Sequence, residues 1–242
     1  MGKAMNWPTL FLCRSCHLPT VLPVCGPCRE RIRLNADAFD LGREGIESCF
    51  PLLLSLGTTQ AIIRSWKEKR GNALRSLLFQ MHSDLREQLI QLGFTAIIPI
   101  PQDPGRSRDR GHASALEVAR FFAQEIRVPL LELLALEEGN PTRMTGKSRF
   151  ERDYEPNPFR ISERLTAPDP LLRILEEQVM RQQEIRFLLV DDLITSGATL
   201  SKASQTLHRL LPRARIWAGG LGFRPGIRPE PTRPLEPPSP DP

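Results

Sequence analysis

The spacing of apolar positions changes along the chain, and each change marks an element. Ile62, Ile63, Trp66, Leu74, Leu77 and Leu78 recur at helical intervals, which predicts a helix over 62–78 interrupted near Gly71. From Thr95 to Ile100 the residues are almost continuously apolar and end in prolines, as a buried strand does. After a polar loop (Gln102 to Gly111), Ala115, Leu116, Ala119, Phe122, Ala123 and Ile126 return to helical spacing. A second unit repeats the order: strand Phe187–Val190, loop Asp191–Gly197, then a helix with the stripe Leu200, Ala203, Leu207 and Leu210. Arg215 to Phe223 predicts one more strand, in which Gly219, Gly220 and Gly222 allow either close backbone approach or a bulge. Strands alternating with helices predict an α/β fold with a mainly parallel sheet flanked by helices.

Composition changes this picture little. Of 242 residues, 40% are hydrophobic and 25% charged, and the net charge of +5 suits phosphate-bearing partners without requiring them. The most apolar run, Phe50 to Leu56, is far shorter than the roughly 20 residues that cross a bilayer, so no membrane span is expected. Met1 to Leu12 lacks the apolar core of a signal peptide, so the expected location is cytoplasmic. There, cysteines serve as metal ligands or reactive thiols sooner than as disulfides. The stretch from Arg224 to Pro242 holds eight prolines, with three arginines balanced by three acids; it is expected to be an extended or disordered tail.

Four of the five cysteines form C-x2-C-x8-C-x2-C: Cys13, Cys16, Cys25 and Cys28. Two residues between thiolates let both sulfurs of a turn face one ion, and two such turns complete a tetrahedral zinc site. Pro19, Pro23, Gly26 and Pro27 supply the turn chemistry. Four cysteine ligands leave no open coordination position, so the zinc is expected to be structural. His17 reads as a surface residue and Cys49 as a small buried hydrophobe.

The chemistry is concentrated in Phe187-Leu-Leu-Val-Asp191-Asp192-Leu-Ile-Thr195-Ser196-Gly197-Ala198-Thr199-Leu200. An apolar strand ends in two carboxylates and passes through a small hydroxyl-rich turn into a helix. Backbone N–H groups and hydroxyls of such a turn can surround a phosphate at the positive end of the helix, and Gly197 permits close approach. The carboxylates can accept hydrogen bonds from vicinal sugar hydroxyls, and ribose 5-phosphate carries both groups at that separation. A Walker phosphate loop is excluded by the missing Gly-Lys-Ser/Thr element, and a dinucleotide fingerprint by the missing G-x-G-x-x-G.

This run resembles the phosphoribosyl pyrophosphate (PRPP) motif of type I phosphoribosyltransferases. The resemblance implies that Asp191 and Asp192 hold the ribose hydroxyls. It also implies that Thr195, Ser196, Gly197, Ala198 and Thr199 cradle the 5′-phosphate. Ile98-Pro-Ile-Pro101 followed by Arg106, Arg108 and Arg110-Gly111 resembles the corresponding segment of the ComF family of competence proteins, which places Pro99 to Gln102 near the diphosphate and Arg110 behind the site. Arg143 to Phe159, with Lys147, Arg149 and Arg152, resembles that family's basic loop ending in Asn157-Pro158-Phe159; such a loop closes over the diphosphate, with Lys147 and Arg149 as its contacts.

The chain departs from the family at His112, Ala113 and Ser114, where a polar contact is expected to be lost. It departs again around Thr142 to Thr145, where a glutamine is missing, and in the added helical segment Pro170 to Gln183 and the tail. The resemblance implies a zinc-binding segment over 1–50, a type I phosphoribosyltransferase-like domain over 51–223 and the tail over 224–242. It implies PRPP or a related phosphoribosyl ligand with magnesium, a glycosyltransferase of the pentosyl type if active, and a link to DNA uptake in natural competence. No residue stands out as a dedicated catalytic base, and the acceptor is not legible. The competing reading is a non-catalytic module that handles single-stranded DNA or meets DNA-processing proteins, with the PRPP site a sensor or relic. On that reading the basic positions Arg64, Lys67, Lys69, Arg70 and Arg75 contact DNA, whereas the plain reading makes them a solvated helix face. A purine-salvage transferase is the third alternative.

Overall fold

A computed structural model describes residues 11–20, 22, 24–68, 72–103, 105, 113–137, 156–163, 173, 177, 180 and 183–224. Its centre is a four-stranded parallel sheet of β3 (Cys49–Leu54), β8 (Arg215–Phe223), β7 (Arg186–Ile194) and β4 (Ala96–Pro99), in that spatial order. Two short strands precede it, β1 (Phe11–Leu12) and β2 (Pro19–Thr20), paired antiparallel beside the four-residue helix α1 (Gly26–Arg29). The α/β class with a parallel sheet and an N-terminal four-cysteine knuckle is as the sequence predicts.

The strands are apolar on both faces because helices cover both. Along β4 every residue is buried, and along β8 all but Arg215. Trp66, Leu78, Phe122, Leu188, Val190 and Trp217 belong to one apolar cluster; Ile98, Phe187, Leu189, Leu200, Ala203 and Ile216 belong to another. Leu188 and Leu189 thus fall in different clusters, as side-chain alternation along a strand demands. Helices α2 (Gly57–Glu68), α3 (Asn72–Leu78), α4 (Ser83–Leu92) and α5 (Ser114–Ile126) connect β3, β4 and β7, and α6 (Ala198–Leu210) connects β7 to β8. The break predicted near Gly71 separates α2 from α3. On α6 the predicted stripe is buried at Leu200, Ala203 and Leu207, but Leu210 is exposed, and Leu211 beside it packs against the core instead.

The glycines of β8 serve close packing. The β7–β8 pairs keep one offset from Arg186↔Arg215 to Ile194↔Phe223, so there is no bulge. A Cβ on Gly222 would lie 2.8 Å from Ile63 Cδ1, and one on Gly220 would lie 2.9 Å from Ile194 Cδ1. Beyond β4, Leu131 N donates to Ile97 O (2.8 Å), which lengthens the sheet by an isolated parallel bridge. Strands β5 (Leu134–Leu136) and β6 (Phe159–Ile161) form a separate antiparallel pair. Among the described residues no helix is long and apolar enough to cross a membrane. The tail from 225 onward and most of the segment 170–183 lie outside the described residues.

Candidate functional site

Four parallel strands end on one side of the sheet, and in open α/β sheets that side receives ligands. Strand β7 delivers Asp191 and Asp192 there, next to the turn Thr195–Gly197 and the first residues of α6. Gly197 caps α6 with φ of +73°, a left-handed conformation that a side chain strains, and it offers no side-chain acceptor to the helix. The first turn of α6 carries no acid, while His208 and Arg209 sit in the last turn, so the N-terminal end is left positive.

The turn has a second wall that the sequence reading missed. The segment Phe39–Ser48 crosses it from the knuckle towards β3. Arg43 Nε donates to Ser196 O (2.7 Å), and the Ser204 hydroxyl donates to Gly45 O (2.7 Å). A Cβ on Gly197 would meet Arg43 Cγ at 3.2 Å and Leu41 Cδ1 at 3.3 Å. No motif flags Arg43; it reaches the turn across more than 150 residues of chain.

The two acids have different surroundings. Asp192 is 5% exposed, and its carboxylate receives Lys67 Nζ (2.8 Å), Gln102 Nε2 (3.0 Å) and the Ser114 hydroxyl. Burial pushes its pKa up, but the Lys67 ammonium and the three hydrogen bonds outweigh this and hold it below the usual carboxylate range. Asp191 accepts the Asp192 N–H (2.7 Å). Burial and then the Asp192 charge raise its pKa to about 7, against the opposing pull of Lys67 and that N–H.

Two expectations are corrected here. Of the predicted basic face, Arg64 and Arg75 are exposed, but Lys67 turns inward onto Asp192; Lys69 and Arg70 lie outside the described residues. Ser114, where a polar contact was expected to be lost, is buried and bonded to both Asp192 and Gln102. Pro99 ends β4 beside Val190 of β7, and Gln102 just beyond it reaches Asp192. Lys147 and Arg149, with the rest of the basic loop up to 155, lie outside the described residues, as do Arg106, Arg108 and Arg110. The far end of that loop is anchored: Asn157 Nδ2 donates to Lys202 O (2.8 Å) and to Thr206 Oγ1 (3.0 Å) on α6.

The cysteines form a second site. The sulfurs of Cys13, Cys16, Cys25 and Cys28 all lie within 4.8 Å of one another, and Cys16 and Cys25 are 3.6 Å apart. A tetrahedral zinc with Zn–S bonds of ~2.3 Å sets its sulfurs ~3.8 Å apart, so this cluster fits the ion. The turn that carries Cys13 and Cys16 closes with His17 N donating to Cys13 O (3.0 Å), His17 taking a φ of +59° on the surface. Cys25 and Cys28 flank the first residues of α1, where Pro27 stands. Burial raises the Cys13 thiol, but the N–H groups of Cys16, Cys25 and Ser15 outweigh it and bring the value down to about 6, which favours the thiolate that a metal needs. Against the Cys28 N–H, burial and the neighbouring cysteines push Cys25 up to about 12. Four thiols this close cannot all ionise without a cation among them. Cys49 is fully buried, as expected.

Neither known family models nor curated proteins yield a match to this chain.

Proposed function

We propose that the chain is a ComF-type protein whose parallel-sheet domain is a type I phosphoribosyltransferase fold that binds PRPP with magnesium. The observation that carries this reading is the arrangement at the end of β7: an acidic pair, a turn capped by a left-handed Gly197, and the positive end of α6. The 5′-phosphate would accept N–H and hydroxyl bonds from 195–199, and the acidic end of β7 would take the ribose hydroxyls. Among the described residues the four cysteines form the one cluster with metal-ligand geometry. Magnesium would ride on the diphosphate oxygens of PRPP and neutralise the leaving group. Reaction would displace pyrophosphate from C1 by an acceptor nucleophile, with positioning and charge stabilisation supplying the rate. The basic loop with Lys147 and Arg149 would close over the diphosphate and exclude water. The link to DNA uptake comes from the ComF resemblance, whereas the zinc knuckle rests on the spacing and clustering of the four cysteines.

Calorimetric titration of PRPP with magnesium into the zinc-loaded chain tests the reading. Binding by wild type, reduced at least ~100-fold in Asp191→Asn/Asp192→Asn, is the expected result. A folded wild type that does not bind PRPP overturns it. In that case salt-dependent affinity for single-stranded DNA, weakened by neutralising the exposed Arg64, would favour the DNA-handling module.

A further inference from the structure

Asp191 and Asp192 are adjacent on β7, so their side chains leave opposite faces of the sheet. The Asp192 carboxylate is already committed: Lys67 holds Oδ1, while Gln102 and Ser114 hold Oδ2. Gln102 and Ser114 also bond each other at 2.9 Å, so the network closes on itself. Its donors come from three places: α2, the segment after β4 and the first residue of α5. All converge on one carboxylate of β7. A ligand hydroxyl that displaced Lys67 would break a partly buried, hydrogen-bonded ion pair, which costs more than a hydroxyl–carboxylate bond returns.

We propose that Lys67 is a positioning residue that, with Gln102 and Ser114, fixes Asp192 as an ionised strut and leaves Asp191 as the carboxylate that meets the sugar. This rests on the phosphoribosyl reading and divides labour within it, since the motif alone assigns both acids to the hydroxyls. On Asp191 the Asp192 charge acts upward and the Lys67 ammonium downward; on Asp192 the Lys67 ammonium acts together with the neutral donors Ser114 and Gln102. The acids therefore titrate together. Removing the cation destabilises the state in which both are ionised and moves the upper step to higher pH.

The test is calorimetric titration of magnesium–PRPP and of ribose 5-phosphate into the full zinc-loaded chain from pH 5.5 to 8.5. For Lys67→Met the expected result is ~5-fold weaker binding at pH 7 with the midpoint of its pH dependence moved up by about one unit, and Lys67→Arg restores both. Lys67→Met/Asp192→Asn buries no lone charge, so it serves even if Lys67→Met does not fold. It should bind at least ~10-fold more tightly than Asp191→Asn, which alone loses at least ~100-fold of the wild-type affinity. Equal losses in Asp191→Asn and in the double variant, or an unmoved midpoint in Lys67→Met, would overturn the division of labour while leaving the phosphoribosyl reading in place. A wild type that binds neither ligand overturns both.

Discussion

Asp191 shows how a single carboxyl carries a pH dependence that its neighbour reverses. Its pKa is raised to about 7 by burial and then by the Asp192 charge. A group raised in the folded state binds its proton more tightly there. Its contribution to stability is full below the unfolded value, near 4, and is lost as pH rises through about 7. Asp192, held low by Lys67, contributes in the opposite sense: its stabilisation is present above the unfolded value and fails as pH falls through its lowered one. Asp191→Asn removes the first term and keeps a side-chain oxygen for the Asp192 N–H. The variant is therefore expected to unfold at a higher temperature than wild type at pH 8, by up to ~4 kcal/mol or roughly 8–16 °C. That gain should shrink between pH 7 and pH 4 and vanish below. Thermal unfolding of both proteins across that range checks it, and a constant difference would mean that Asp191 keeps an ordinary pKa.

Between β7 and α6 the decisive residue is Gly197. Its φ of +73° costs a side-chain-bearing residue ~1–2 kcal/mol, and a Cβ there would press on Arg43 Cγ and Leu41 Cδ1 at 3.2 and 3.3 Å. Gly197→Ala should therefore lower the unfolding temperature by ~3–5 °C and weaken PRPP binding at least ~10-fold, because the turn must move off Arg43 to accept the methyl group. Unchanged affinity would show that the turn is not the phosphate site.

Part of the element order was legible from the chain: β4, β7 and β8 leave apolar runs, and α5 and α6 leave stripes one turn apart, whereas β3, α4 and the short β5–β6 pair were not predicted. The cysteine spacing was equally legible, because its ligands are local. The contacts Lys67–Asp192 and Arg43–Ser196 were not. Each joins positions more than a hundred residues apart through one polar side chain, and a basic residue on a helix looks the same in sequence whether it meets water or a buried acid. Leu210 misled because helical spacing from Leu207 is met by both Leu210 and Leu211, and it is Leu211 that packs against the core.

Across the whole molecule, the knuckle and the sheet share a core. Cys13, Val24 and Cys28 belong to the apolar cluster that also holds Phe50, Leu52, Trp66, Leu78 and Phe122. Asn35, between the knuckle and β3, is buried and bonds Pro51 O at 2.9 Å with its side chain. The chain then runs through Phe39, which stacks on Phe223 at 5.6 Å, and through Arg43, which bonds Ser196 in the turn before α6. Zinc bound by the four cysteines would thus secure one side of the main core as well as the small loops around it. Because the ion binds the folded cluster, its affinity adds directly to folding stability. Chelation, or Cys28→Ser, is expected to lower the unfolding temperature of the entire chain by more than ~10 °C in one cooperative transition. Calorimetry with and without chelator decides the point. A separate low-temperature transition, followed by an unshifted main one, would mean that the knuckle melts alone and that packing against Phe50 and Trp66 does not carry its stability into the sheet.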